Sequence, residues 1–226
     1  MTQATRPAVR GEIVLAGALL TVLAMLGWLV ATTGAVSGID DGVRRWVLSA
    51  QLPLLRVLLK AVTFFDNAMI VVPLFLLGAG IMSWFRNTAE PAVSGLTGAG
   101  LLLLSVATLK AVVGRMGPSG EAVEVLSGAW PSGHTATATV VYGLIALRLH
   151  VSSAGTRRNW VRALVGLPVL IALALVYCDF HWLSDVVGGF VLGVLVLLAT
   201  YALTRAPRAR ESGPPPARPT ASQNRP

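Results

Sequence analysis

Residues 181–204 read HWLSDVVGGFVLGVLVLLATYALT, and this stretch decides the fold. No charged residue follows Asp185 within it, and a helix of about 20 apolar residues is long enough to cross about 30 Å of hydrocarbon. His181 and Asp185 are four residues apart, hence on one face of any helix that reaches back to them. We therefore predict a membrane-spanning helix over 183–204 with two ionisable side chains at its mouth.

The rest of the chain has the same apolar character. Its 226 residues are 54% hydrophobic and 12% charged, which is too apolar for an ordinary soluble domain. Long apolar runs of this kind cross a membrane as helices. The predicted fold class is an all-α integral membrane protein, a bundle of six transmembrane helices. The six predicted spans are 13–36, 68–84, 92–114, 132–150, 163–178 and 183–204.

The segments outside these spans differ in composition. Residues 37–67 mix charged side chains with leucines, a pattern typical of one or two amphipathic helices on the membrane surface, with Pro53 as a break. The single cysteine, Cys178, excludes an intrachain disulfide and a cysteine-based zinc cluster. The tail after the last span is rich in Pro and Arg and is predicted to be disordered. The predicted parts are a tail, 1–12, a membrane domain, 13–204, and a second tail, 205–226.

The distribution of charge predicts how the chain is oriented. Six spans would place both tails on one side, which then carries twelve basic and three acidic residues, whereas the other side carries six basic and seven acidic residues. Such an excess of arginine marks the cytoplasmic side. We therefore expect both termini in the cytoplasm and the three polar clusters on the external face. The net charge of +8 is scattered without interleaved aromatic residues, which argues against a nucleic-acid partner.

The first polar cluster combines two cations. Lys110 lies near the end of the span predicted over 92–114, and Arg115 follows it by five residues. An ionisable residue within a span is costly and is by default a candidate functional residue. Two such cations would suit a phosphate group, although Lys110 could instead extend to the lipid headgroups.

The second cluster, Pro131-Ser132-Gly133-His134, opens the span predicted over 132–150. Serine is a favoured N-cap, glycine allows a ligand close to the backbone, and free N–H groups at a helix start bind anions. His134 on the first turn is placed to give a proton to a leaving oxygen. A plain serine-capped helix would also account for these residues.

The third cluster is the pair at the mouth of the last span. A carboxylate at Asp185 would fix the tautomer of His181 and raise its basicity, which leaves the other ring nitrogen free to attack an electrophile. An ordinary polar helix start is the alternative.

Together the clusters resemble the signature of the type 2 phosphatidic acid phosphatase family, which also includes vanadium haloperoxidases. The family motifs are Lys, six residues, Arg-Pro; then Pro-Ser-Gly-His; then Ser-Arg, five residues, His, three residues, Asp. The resemblance covers roughly residues 68–204. The matching residues are Lys110 and Pro118 in the first motif, residues 131–134 in the second, and His181 and Asp185 in the third.

Two motif arginines are missing from the sequence. Gly117 stands at the arginine position of the first motif, and Leu175 stands at that of the third. Both arginines would normally grip phosphate oxygens in the family. Arg115, two residues before the first vacant position, could replace one of them in part.

The resemblance implies a mechanism without a metal or other cofactor. His181 would attack phosphorus to form a phosphohistidine, with Asp185 orienting its ring, and His134 would protonate the leaving group and later activate water. The phosphoryl oxygens would be held by Lys110, Arg115, Ser132 and the amide of Gly133.

The predicted function is therefore a lipid phosphatase of the plasma membrane, acting on a phosphomonoester or pyrophosphate of a lipid. The preference for arginine over lysine is typical of a GC-rich bacterial genome. A catalytically impaired relative that binds a lipid phosphate or a protein partner is the first alternative, favoured by the missing arginines. A transporter is disfavoured because the polar residues gather at one surface, whereas transporter sites lie near the midplane.

Overall fold

The computed structural model describes residues 6–32, 34–120, 128–148 and 153–205. Within these ranges the chain is helical, with no strand. Residues 1–5 of the first predicted tail, nearly all of the second and the end of the span predicted over 132–150 lie outside them. The helices are α1 (Arg6–Thr32), α2 (Gly34–Ser49), α3 (Pro53–Phe65), α4 (Ala68–Arg86), α5 (Glu90–Val113), α6 (Gly133–Arg148), α7 (Ala154–Tyr177) and α8 (Leu183–Thr204).

Five helices are long and apolar enough to cross a membrane: α1, α4, α5, α7 and α8. The remaining predicted span corresponds to α6, which is described over only 16 residues, short of the roughly 20 that a span requires. Six spans therefore remain a prediction. The stretch predicted to be amphipathic forms α2 and α3, which are separated just before Pro53, the first residue of α3.

Two helices extend further towards their N-termini than the apolar pattern predicts. α7 begins at Ala154 rather than at 163, and α1 begins at Arg6 rather than at 13. The start of α7 is capped by Ser153, whose hydroxyl accepts a hydrogen bond from the amide of Thr156 at 3.4 Å. Apolarity marks the part of a helix that lies in the hydrocarbon, whereas the helix itself continues into polar turns.

α6 lies at the centre of the bundle, packed mainly against α7 and α8. Glycines of α8 allow this helix to approach the backbone of α6 closely. A Cβ atom added at Gly189 of α8 would lie 2.5 Å from the carbonyl oxygen of Ser132, and one at Gly193 would lie 2.5 Å from Cβ of Thr139. The position of α8 relative to α6 is therefore fixed by glycine contacts along its length.

The two ends of the bundle differ in character. At one end Arg148 pairs with Glu90 at 2.9 Å and Arg205 pairs with Glu12 at 3.1 Å. At the opposite end lie the C-terminus of α5 and the N-termini of α6 and α8, because these helices run in alternating directions. All three predicted clusters belong to this second end.

Candidate active site

The three polar clusters meet at this end of the bundle. The amide of Ser132 donates a hydrogen bond to the carbonyl oxygen of Asp185 at 2.9 Å, which joins the starts of α6 and α8. Arg115 donates through Nη1 to the Asp185 carboxylate at 2.7 Å. His134 lies close enough to His181 to interact with it electrostatically. The fold thus assembles residues that are up to 75 positions apart in the sequence into one group.

His181 and Asp185 form a buried pair at the start of α8. The Nδ1 atom of His181 lies 3.3 Å from Oδ2 of Asp185, and the two residues are only 4% and 0% exposed. The same Oδ2 atom accepts a hydrogen bond from the amide of Trp182 at 3.0 Å. An imidazole held through Nδ1 presents Nε2 as its second, available ring nitrogen.

The start of α6 has the form of a capped helix whose first turn adjoins the site. The fully buried hydroxyl of Ser132 accepts hydrogen bonds from the amide of Thr135 at 3.4 Å and from its hydroxyl at 3.2 Å. A Cβ atom at Gly133 would meet only Cγ1 of Val106, at 3.7 Å. Protein packing therefore does not require glycine at 133, and the space beside its backbone is open to a ligand.

Lys110 lies in the last turn of α5 and is 9% exposed. Among the residues that the structure describes, its ammonium group has no hydrogen-bond partner. It lies within electrostatic range of Asp185 and of His134. A buried ammonium group without a partner is costly, and an anionic ligand would compensate it.

Arg115 is held by two carboxylates. Nη2 donates to Oδ2 of Asp40 at 2.6 Å, while Nη1 donates to the hydroxyl of Ser184 at 2.6 Å as well as to Asp185. The guanidinium group also lies 5.2 Å from the ring centroid of Trp182. Its predicted role in phosphate binding stays a prediction, since in this structure it links Asp185 to α2.

Sequence reasoning missed three charged residues beside the site. Asp40, expected on a surface helix, is 2% exposed. Asp179, expected to be a solvated loop acid, adopts a left-handed φ of 63° and binds Arg44 through two hydrogen bonds of 2.8 and 2.9 Å. This hydrogen bonding raises the pKa of Arg44 above its usual value, against a smaller opposing effect of burial. No local pattern in the sequence distinguishes these residues from solvated charges.

A small cavity separates α2 from the His181 loop. It encloses about 10 Å³, which is room for about one water molecule rather than for a phosphate group. Its walls include Asp40, Arg44, Asp179, His181 and Trp182. α2 is therefore part of the wall of the site.

The donor set of the site suits an anion. Arg115 is already paired with Asp40 and Asp185, so the groups left for a ligand are the ammonium of Lys110, the two imidazoles and the amides that open α6. In the described parts of the chain, no cluster of three or more His, Cys, Asp or Glu side chains has the arrangement of a metal site.

Another buried carboxylate lies away from the three clusters. Asp66, between α3 and α4, is 2% exposed, and the hydroxyl of Tyr142 donates a hydrogen bond to it at 3.5 Å. Its second oxygen has no partner among the described residues. Burial raises the pKa of Asp66 from 3.8 to about 7, partly offset by the Tyr142 hydrogen bond.

Comparison with known proteins shows the family of the chain. The chain matches the PAP2 superfamily over residues 91–208, more than half of its length. The chain belongs to the PAP2 superfamily. It is 31% identical over 170 residues to phosphatidylglycerophosphatase B of Bacillus subtilis (strain 168), a match that covers 73% of this chain and 82% of that protein.

A solved PAP2 protein has the same fold. The crystal structure of a transmembrane PAP2 type phosphatidylglycerolphosphate phosphatase from Bacillus subtilis matches with a TM-score of 0.74 and 24% sequence identity, over 83% of this chain and 94% of that chain. The family prediction from the sequence motifs is thereby confirmed. The chain is an integral membrane phosphatase of the PAP2 superfamily.

The structure also shows what fills the two vacant arginine positions of the PAP2 motifs. Leu175 is 1% exposed and packs with Ile171, Ala138 and Val186, so an apolar cluster occupies that place. Gly117 is buried in the connection that follows α5. At position 175, apolar packing therefore takes the place of the guanidinium group.

Proposed function

We propose that this PAP2 protein hydrolyses a phosphomonoester or pyrophosphate of a lipid on the extracytoplasmic face of the plasma membrane, through a phosphohistidine intermediate. The observation that carries the proposal is the buried His181–Asp185 pair, which lies beside His134 and beside the unpartnered ammonium of Lys110. A nucleophile with its orienting acid, a second imidazole and a cation are what phosphoryl transfer to a histidine requires.

In the first step Nε2 of His181 attacks phosphorus while the bond from phosphorus to the lipid oxygen breaks. His134 gives its proton to the departing oxygen, so that the lipid leaves as an alcohol, or as a monophosphate when the substrate is a pyrophosphate. Asp185 stabilises the positive charge that develops on the imidazole of His181, because its carboxylate lies against Nδ1.

In the second step the roles of His134 reverse. His134, now neutral, takes a proton from a water molecule, which attacks phosphorus as the bond from phosphorus to Nε2 of His181 breaks. Inorganic phosphate leaves, and both histidines return to their starting states. The same two side chains therefore serve both half-reactions without a further acid or base.

The phosphoryl oxygens carry negative charge in both transition states. Lys110, the hydroxyl of Ser132 and the amides at the start of α6 supply positive charge and donors at this end of the bundle, and Arg115 would add to them on leaving one of its carboxylates. The loss of one such donor typically costs about 2.7–4 kcal/mol in transition-state stabilisation.

The substrate and the orientation are supported by separate observations. The relative at 31% identity is named for phosphatidylglycerophosphate, a lipid phosphomonoester, which favours glycerolipid phosphates over other classes. The excess of arginine on the side of the tails supports cytoplasmic termini. Glu12 and Arg205 pair at the end of the bundle opposite the site, which supports an external site.

The test is phosphate release by the purified protein in detergent, with EDTA present, from a panel of glycerolipid phosphates and polyprenyl pyrophosphates. We expect turnover of at least one lipid and its loss in His181→Ala. Gly166→Ala is a suitable control, since a Cβ at Gly166 meets nothing within 4 Å. Turnover retained by His181→Ala would contradict the proposed nucleophile.

The second candidate function is a catalytically silent PAP2 protein that binds a lipid phosphate. It is favoured by the apolar packing of Leu175 at one arginine position and by the pairing of Arg115 with two carboxylates. No turnover of any lipid in the panel, together with saturable binding of the same lipids in detergent, would select this function.

A further inference from the structure

Among the charged residues of α2 whose side chains the structure describes, only Asp40 is buried, and it is buried against the site. Its Oδ2 atom accepts hydrogen bonds from Nη2 of Arg115 and from the hydroxyl of Ser184, both at 2.6 Å. Its Oδ1 atom accepts one from the amide of Ser184 at 3.0 Å. A carboxylate that is 2% exposed needs such partners, because burying an unpaired charge is costly.

These contacts form a continuous chain that ends at the proposed nucleophile. Asp40 binds Arg115 at 2.6 Å, Arg115 binds Asp185 at 2.7 Å, and Asp185 lies 3.3 Å from His181. We infer that Asp40 is a positioning residue, which holds Arg115 and the first turn of α8 so that Asp185 orients His181. The inference rests on the proposed function in one respect only, namely that His181 is the nucleophile.

The first part of this role is geometric. The opening turn of a helix has four amides without partners inside the helix, and Asp40 supplies a partner for one of them, the amide of Ser184. Asp185 is the next residue, so its backbone is fixed by the same contact. α2 thereby caps α8 from a position 144 residues earlier in the chain.

The second part is electrostatic. If Arg115 had Asp185 as its sole counter-ion, the guanidinium charge would offset the negative charge that His181 needs beside it. Asp40 balances that charge, so Asp185 keeps its effect on the imidazole. The other charged or titratable groups that face this arrangement are Asp179 and Arg44, which pair with each other, together with Lys110 near Asp185 and His134 near His181.

The test compares Asp40→Asn with Asp41→Asn, which makes the same change of charge on the next residue of α2. Within the described parts of the chain, Asp41 makes no hydrogen bond to the site. For Asp40→Asn we expect kcat to fall about 10- to 100-fold, the usual effect of removing such a supporting contact, with little change in KM. The acidic limb of its pH–rate profile should move to lower pH, because the guanidinium charge of Arg115, no longer balanced by Asp40, then offsets the charge of Asp185 beside the protonated imidazole. Asp41→Asn should keep the kcat and pH profile of the wild type.

A matched combination tests whether Asp40 acts through Arg115. In Asp40→Asn/Arg115→Gln the uncompensated guanidinium is gone, so its acidic limb should return to that of Arg115→Gln alone. A purely structural role predicts instead that activity falls with the folded fraction and that the pH profile does not move. An additive shift in the double variant would likewise overturn the inference.

A second measurement remains informative if the wild type turns over no lipid, which would refute the proposed function alone. The chain has three histidines, so the side-chain ¹⁵N signals of His181 can be assigned by substitution and followed against pH in detergent. We expect His181 to titrate at lower pH in Asp40→Asn than in the wild type, and unchanged in Asp41→Asn. An unchanged titration in Asp40→Asn would overturn the inference. If Asp40→Asn does not fold, Asp40→Glu can be used instead, because it keeps the negative charge but displaces it. This variant should lower kcat without moving the titration of His181. A wild-type kcat in Asp40→Glu would contradict the positioning role.

Discussion

Gly189→Ala adds a single methyl group between α8 and the start of α6, and its effect can be worked out from the contacts. The new Cβ would lie 2.5 Å from the carbonyl oxygen of Ser132, whereas ordinary contact begins at 3.4 Å. α8 would therefore have to retreat by about 0.9 Å from a backbone atom that has little freedom to move. His181 and Asp185 lie on the α8 side of this contact, and Ser132 and His134 lie on the other.

Two opposing effects decide the outcome for stability. Overpacking of this size costs about 1–3 kcal/mol. Replacing glycine by alanine within a helix gains up to about 1 kcal/mol. The net loss of stability should therefore be small, whereas a displacement of about 1 Å between catalytic groups can lower the rate about 100-fold.

The assay measures kcat/KM for phosphate release together with the thermal unfolding midpoint in detergent. Gly100→Ala is the matched control, because a Cβ at that position in α5 meets nothing within 4 Å. We expect Gly189→Ala to lose activity about 100-fold with a small change in midpoint, and Gly100→Ala to lose none. Wild-type kcat/KM in Gly189→Ala would refute the claim that close packing of α8 on α6 sets the geometry of the site.

Four further predictions concern single groups. The plot of kcat/KM against pH should be bell-shaped, since attack needs neutral His181 and protonated His134, and a flat profile from about pH 4 to 9 would contradict these roles. Lys110→Gln should lower kcat/KM about 10²- to 10³-fold without lowering the unfolding midpoint, whereas unaltered kinetics would show that Lys110 does not act in the site. Because the pKa of Asp66 is raised, only the unfolded carboxyl ionises between about pH 4 and about pH 7, and the wild type should lose up to about 4 kcal/mol of stability over this range. Asp66→Asn should abolish this loss. Parallel curves of stability against pH for the two proteins would contradict the raised pKa. Leu175→Arg should destabilise the fold rather than raise activity, because Ile171 and Val186 fill the space around it, and a stable, faster variant would contradict that packing.

Membrane helices and the motif residues were predictable because each has a local signal. The bilayer imposes a long apolar run on every span, and α4, α5 and α8 end within a few residues of the predicted positions. His181 and Asp185 are four residues apart, and Ser132 and His134 lie within one turn. Such short spacings translate directly into geometry, whereas contacts between distant segments do not.

α2 shows where local reasoning ends. Asp40 and Asp41 are neighbours, and Arg44 and Arg45 follow them, which is a pattern typical of a helix on a surface. Which aspartate is buried depends on the rotation of α2 against α8, and α8 lies more than 140 residues later in the chain. The burial of Asp40 therefore could not be predicted from its own segment.

α6 shows a different limit. Its apolar pattern predicts a span, and its described residues, 133–148, are rich in threonine and alanine and are mostly buried among other helices. A helix buried among helices needs small side chains and internally bonded hydroxyls, as in the 2.7 Å hydrogen bond from Thr139 to the carbonyl oxygen of Thr135. Hydropathy reports exposure to lipid and carries little information about such a helix.

The central claim is that His181 carries the phosphoryl group and that His134 acts on it from across the site. The most direct measurement is mass spectrometry of the protein quenched at alkaline pH during turnover of a lipid phosphate, with His134→Ala and His181→Ala in parallel. We expect a phosphohistidine at His181 in the wild type, its absence in His181→Ala, and both slower formation and slower hydrolysis of it in His134→Ala, which lacks the acid of the first step and the base of the second. Phosphate release without a phosphorylated His181, or a phosphoryl group on another residue, would contradict the mechanism.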